Sequence, residues 1–107
     1  MAAGRNDVSA DLLTDVKNYL DITWSDEATD SKVRGFIAAG MDYLDRRAGG
    51  GQDYAADGTA RTLLMEFCRY FRDSALDVFE NNYRSMLLAL RHERVVKIRV
   101  ESAQPTE

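Results

Sequence analysis

The sequence holds one cysteine, Cys68, and one histidine, His92. That count excludes an internal disulfide, and it leaves too few soft ligands for a four-ligand zinc site of the usual kind. With so little cysteine the expected compartment is reducing and the expected location cytoplasmic. Proline is nearly as scarce: the single one, Pro105, stands at the end of the chain, so nothing before it forbids a helix. Long apolar runs are missing too. The longest, Phe36 to Met41 and Met86 to Leu90, fall far short of the roughly 20 residues that a membrane span requires, so no membrane partner is expected. The polar opening from Met1 to Ser9 has no signal-peptide core. An excess of positive charge is also lacking, since 14 bases face 18 acids for a formal charge of -4, which excludes a general nucleic-acid coat.

What is present is 107 residues, enough for one domain, with 45% hydrophobic and 30% charged residues, the proportions of a soluble globular protein. The apolar spacing is helical. Leu12, Leu13, Val16, Tyr19 and Leu20 share one face of a helix that Ser9 caps and Asp11 supports in its first turn. A turn over Asp21 to Ser25 follows. A second helix is expected from about Asp26 to Ala48, with Val33, Phe36, Ile37, Met41 and Leu44 inward. Its acids Asp26, Glu27 and Asp30 come first and Arg46 and Arg47 last, and Gly49-Gly50-Gly51 ends it. Gly49 to Gly58 reads as the one flexible loop, with Tyr54 its only large side chain. The third pattern, through Leu63, Leu64, Phe67, Cys68, Phe71, Ala75, Val78 and Phe79, is the expected spine of the core. Asn81-Asn82 interrupts it, and Met86, Leu87 and Leu90 give a fourth helix, the rival being one bent helix from Thr59 to about His92. Beyond Glu93, Val96, Ile98 and Val100 alternate with charged residues in the two-residue rhythm of a strand, which would have to pair with another chain. The expectation is an all-α bundle of about four helices over residues 1–94, and a C-terminal tail or arm over 95–107.

Few residues suggest chemistry. Counting a calcium loop from Asp53, Asp57 and Gly58 fit, but Ala55 and Leu64 stand where ligands are required, so a helix cap at Asp57 or Thr59 is the better account. Cys68 lies on the apolar face as a small core residue, and His92 reads as a solvated helix-end residue. The acid pairs Asp42 with Asp45 and Asp73 with Asp77 are spaced to share a helix face, but nearby Arg46, Arg69 and Arg72 make surface ion pairs the simpler reading. No phosphate loop follows Gly49 to Gly51. Neither a catalytic residue nor a metal or cofactor is therefore expected, and Trp24 is read as a lid on the core rather than an exposed anchor. Charge is uneven: residues 1–58 carry eleven acids and six bases, while Arg91, Arg94, Lys97 and Arg99 crowd the C-terminal end.

The order of segments resembles the siphophage head-to-tail connector family. The likeness runs through Val16 to Trp24 with the acid-rich helix start, Gly40-Met41-Asp42-Tyr43-Leu44 with its glycine stop, and Phe79 to Ser85 leading into Met86 to Leu90, and it covers about residues 8–93. It implies a structural subunit of a tailed phage or prophage, located in the virion and made in the host cytoplasm. Such subunits form a ring of copies beneath the portal protein, extend the DNA channel and receive the next connector or tail protein. An acidic balance suits a lumen through which DNA slides without specific binding. The expected contacts between subunits place an acidic edge at Asp42 and Asp45 against Arg91 and Arg94. The segment with Val96, Lys97, Ile98 and Val100 is expected to order on a partner. The competing reading is a small helical regulator or adaptor that binds protein or DNA through the basic C-terminal segment, although no helix-turn-helix pattern supports it.

Overall fold

A computed structural model describes residues 8–56 and 58–103. It consists of α1 (Ala10–Tyr19), α2 (Glu27–Ala48), α3 (Thr59–Arg72), α4 (Leu76–Asn82) and α5 (Arg84–Ala103), with no strand among the described residues. The chain is thus a small all-α domain. The expected spacing of apolar residues places each helix. Ser9 Oγ accepts from the Leu12 N–H at 3.1 Å to start α1, and Asp26 accepts from the Thr29 N–H at 2.8 Å to start α2. Gly49, at φ 89°, closes α2 in the left-handed conformation that glycine adopts without penalty.

The 22-residue α2 is the central element, packing against α1, α3 and α5. Its inward residues Val33, Ile37 and Leu44 meet Leu63, Leu64 and Phe67 of α3, Val16 of α1 and Phe79 of α4 in a core of fully or almost fully buried side chains. At its middle Gly40 lets α3 come close, because a Cβ there would lie 2.7 Å from Leu64 Cδ1 and 2.8 Å from Phe67 Cδ1. The Phe67 ring stacks on Phe71 at 5.0 Å between centroids and meets Phe79 edge-on at 5.7 Å.

Four expectations need correction. The third pattern is not continuous: α3 stops at Arg72 and α4 starts at Leu76, with Ser74 at φ 56° between them. Asp73 and Ser74 favour turns over helix interiors, and Phe79 keeps its core register across the turn while Val78 is left exposed. The break at the asparagines is slight, for the Tyr83 N–H bonds to the Phe79 carbonyl and the Tyr83 carbonyl accepts from Leu87, both at 2.9 Å. The second correction concerns the tail: residues 95–103 continue α5 and do not form a strand. Once α5 has begun, each further residue finds its hydrogen-bond partner four residues back. A lone strand finds none, and valine or isoleucine costs a helix only a few tenths of a kcal/mol.

The third correction is to the loop after α2, which is fastened rather than free. Tyr54 is buried, and its hydroxyl donates to Asp45 Oδ1 at 2.6 Å with the Met41 carbonyl 3.2 Å away. The Gln52 N–H donates to the same carboxylate oxygen at 3.1 Å. Finally, Thr59 is the first residue of α3 and not its cap; Gly58 occupies the cap position without a side-chain bond. Asp57 lies outside the described residues.

Candidate interaction surface

The C-terminal end of α2, Glu80 of α4 and the first turns of α5 border a groove of about 540 Å³ lined chiefly by Arg46, Arg47, Glu80, Arg84, Leu88 and Arg91. The sequence puts these groups together by helical spacing: Arg84, Leu88 and Arg91 fall at i, i+4 and i+7 of α5 and share a face. One wall is rigid. Tyr43 donates its hydroxyl to Glu80 Oε2 at 2.6 Å, Arg47 donates to the same oxygen at 2.7 Å, and the Arg47 guanidinium lies 5.0 Å from the centre of the Tyr43 ring. The Tyr43 hydroxyl is the first cause that holds the Glu80 carboxyl below its ordinary value. Desolvation first, and then the bond to Glu80, push Tyr43 up to about 12. Arg46 pairs with Asp42 one turn earlier at 3.0 Å. Among the described residues Arg84 and Arg91 have no ion pair, and Leu88, 63% exposed, projects between them.

The residues expected at subunit contacts are scattered. Asp42 faces Arg46, whereas Asp45 is committed to Tyr54 and Gln52 inside the chain, so the two do not form one open acidic edge. Arg91 lines the groove. Arg94 turns the other way: its guanidinium donates to the Gly51 carbonyl at 3.1 Å and lies where a Gly50 Cβ would be. Its Nε is buried without a hydrogen-bond partner. Val96 is 43% exposed. The side chains of Lys97, Ile98 and Val100 lie outside the described residues.

Trp24 is not a lid. It is 55% exposed, because the turn carries it past the end of α1, and its indole N–H donates to Thr29 Oγ1 at 3.2 Å. Cys68 is a core residue, fully buried, and desolvation pushes its thiol up to about 12. His92 is exposed within α5 and not at a helix end. Asp53 accepts from the Ala55 N–H in a local turn. Asp73 closes α3 while Asp77 lies in the first turn of α4, so that pair does not share a helix face. Among the described residues no three His, Cys, Asp or Glu side chains are placed to hold a metal ion, and no helix is long and apolar enough to cross a membrane.

Two buried charges escape a reading of periodicity. Lys17 donates to Asp30 at 2.7 Å and ties α1 to α2. Glu66 accepts from Arg69 at 2.7 Å and from the Tyr83 hydroxyl at 2.8 Å, which ties α3 to the junction of α4 and α5. No family model, no curated protein and no solved structure matches the chain.

Proposed function

We propose that this chain is a non-enzymatic assembly subunit: a head-to-tail connector of a tailed phage or prophage that forms a ring beneath the portal, extends the DNA channel and receives the tail. The sequence resemblance over about residues 8–93 supplies the family. The observation that carries assembly is the outward face of α5, where Leu88 is 63% and Val95 47% exposed, seven residues apart on one side of the helix. Such a face loses free energy to water until another surface covers it, at about 25 cal/mol per Å² of apolar area. The basic-segment alternative is weakened by Arg94, whose guanidinium is committed to the loop at Gly50 and Gly51.

The test is the native mass by light scattering across a range of protein concentrations, alone and with portal rings, for the wild type and for Leu88→Ser with Val95→Ser. A large closed oligomer or saturable loading of the portal, either one lost in the variant while its far-UV spectrum stays helical, is the expected outcome. A tight dimer that binds duplex DNA with a steep salt dependence would refute the connector in favour of the regulator. A monomer that ignores the portal would refute it outright.

A further inference from the structure

Two exposed features of opposite charge lie at opposite ends of α2. At its start, the turn after α1 and the first residues of α2, Asp21 to Asp30, carry four acids and no base. Asp21, Asp26 and Glu27 are exposed around Trp24. One counter-charge is already spent there, as Lys17 is bound to Asp30. Arg72 reaches the same corner, donating to the Leu20 carbonyl at 3.0 Å, and the local balance remains negative. The indole does not hang freely: its N–H bonds to Thr29 Oγ1, and the Thr29 hydroxyl donates in turn to Asp26 Oδ2 at 2.9 Å. An exposed tryptophan held in one pose has already lost the side-chain freedom that a contact would otherwise cost it. At the other end of α2 lies the groove, with four guanidinium groups, one carboxylate and the exposed Leu88.

We propose that this groove receives the Trp24 corner of a second copy of the chain. The indole would lie against Leu88 and the guanidinium planes, and Asp21 and Glu27 would meet Arg84 and Arg91. The chemistry matches on three counts. Aromatic rings attract guanidinium groups face-on, tryptophan and arginine are the residues that most often dominate interfaces, and the two arginines without an ion pair face acids that also have none among the described residues. A polyanion such as DNA fits less well, because Glu80 and the exposed apolar Leu88 are part of the lining. The α2 helix separates corner and groove by about 30 Å at 1.5 Å per residue. One copy therefore cannot satisfy itself, and each copy offers one unlike surface at each end. The proposal rests on the assembly reading and names its contact.

The test uses two variants, each blind on one side. Arg84→Glu with Arg91→Glu keeps the corner and loses the groove; Trp24→Ala with Glu27→Lys keeps the groove and loses the corner. All four positions are exposed, and circular dichroism checks that both variants stay folded. The chain has a single tryptophan, so a ¹⁵N-labelled groove variant gives one indole N–H signal, which is titrated with unlabelled corner variant. The expected result is a saturable shift of that signal, about tenfold weaker at high salt, and no shift when the added protein is a second groove variant. Absence of a shift at millimolar protein overturns the contact. If the wild type still forms rings, the connector reading survives on other surfaces; if the shift appears while no ring forms even on portals, the contact stands and the connector reading falls. In a ¹⁵N-labelled corner variant, which keeps both arginines, Arg84 and Arg91 amides that respond to a short DNA duplex but not to the groove variant would also overturn it.

Discussion

Replacing Gly40 by alanine sets two effects of known size against each other. In the interior of a helix, alanine is favoured over glycine by about 1 kcal/mol. Against this, the added methyl would sit 2.7 Å from Leu64 Cδ1 and 2.8 Å from Phe67 Cδ1, where carbon atoms settle at about 3.5–4.0 Å. Neither neighbour can retreat cheaply, for Leu64 is fully buried and Phe67 is wedged among Phe71, Phe79 and Tyr43. Overpacking of this kind costs about 1–3 kcal/mol. The net expectation is a loss of about 1 kcal/mol, read in urea as a midpoint lowered by about 0.5–1 M at an unchanged slope. The cycle with Phe67→Leu isolates the cause: the double variant should lose less than the sum of the single ones, since a smaller side chain removes part of the clash. A Gly40→Ala protein as stable as the wild type or more so would refute the close approach of α2 and α3.

Ser74 holds φ 56° in the turn between α3 and α4, a conformation that costs a residue with a Cβ about 1–2 kcal/mol. Ser74→Gly should therefore raise stability by up to about 1 kcal/mol after the greater entropy of the unfolded glycine, read as a higher urea midpoint; a lowered midpoint would show that the turn does not need that conformation. Tyr43, pushed up to about 12 from an ordinary value of 10.0, stays protonated in the folded chain where the unfolded chain has lost its proton. Its contribution is complete below pH 10 and drains away between about pH 10 and 12. Glu80, held low, acts in the other direction, its contribution being present above its ordinary 4.5 and lost as acid protonates it. Urea midpoints measured across pH should fall less steeply above pH 10 in Tyr43→Phe than in the wild type, and parallel curves would contradict the assignment.

Where each helix lies was legible because one physical rule, the burial of every third or fourth residue, governs most of the chain. Val16, Ile37, Leu44, Leu63 and Cys68 are as buried as their spacing requires. The turn at Asp73 to Ala75 was hidden because Phe71 and Phe79 hold their helical phase on both sides of it, and phase alone does not reveal a left-handed residue in between. The valines of the tail misled for a related reason: Val96 and Val100 are four apart as well as two steps of an alternation, so the same residues satisfy both periods. The groove was half legible, since Arg46, Arg47 and Arg91 stood out as charges, but only the packing of α5 on α2, with α4 leading into α5, brings Glu80 and Leu88 among them. Asp45 was misjudged because its partner, Tyr54, comes from a glycine-rich stretch where a fixed contact carries no periodic signal.

The stretch after α2 also sets where the chain can change length. Gly49 turns the chain, Gly50 makes room beneath the Arg94 guanidinium, Gly51 receives its hydrogen bond, and Gln52 and Tyr54 reach back to Asp45. Each step is counted, so one inserted residue between 49 and 54 would shift every later member off its mark and loosen the hold of Arg94 on the loop. Just beyond, at Ala56, the chain is exposed, and extra residues there would bulge into solvent. A segment whose composition suggests slack thus works as a ruler over its first half and as a tolerant splice point only in its second.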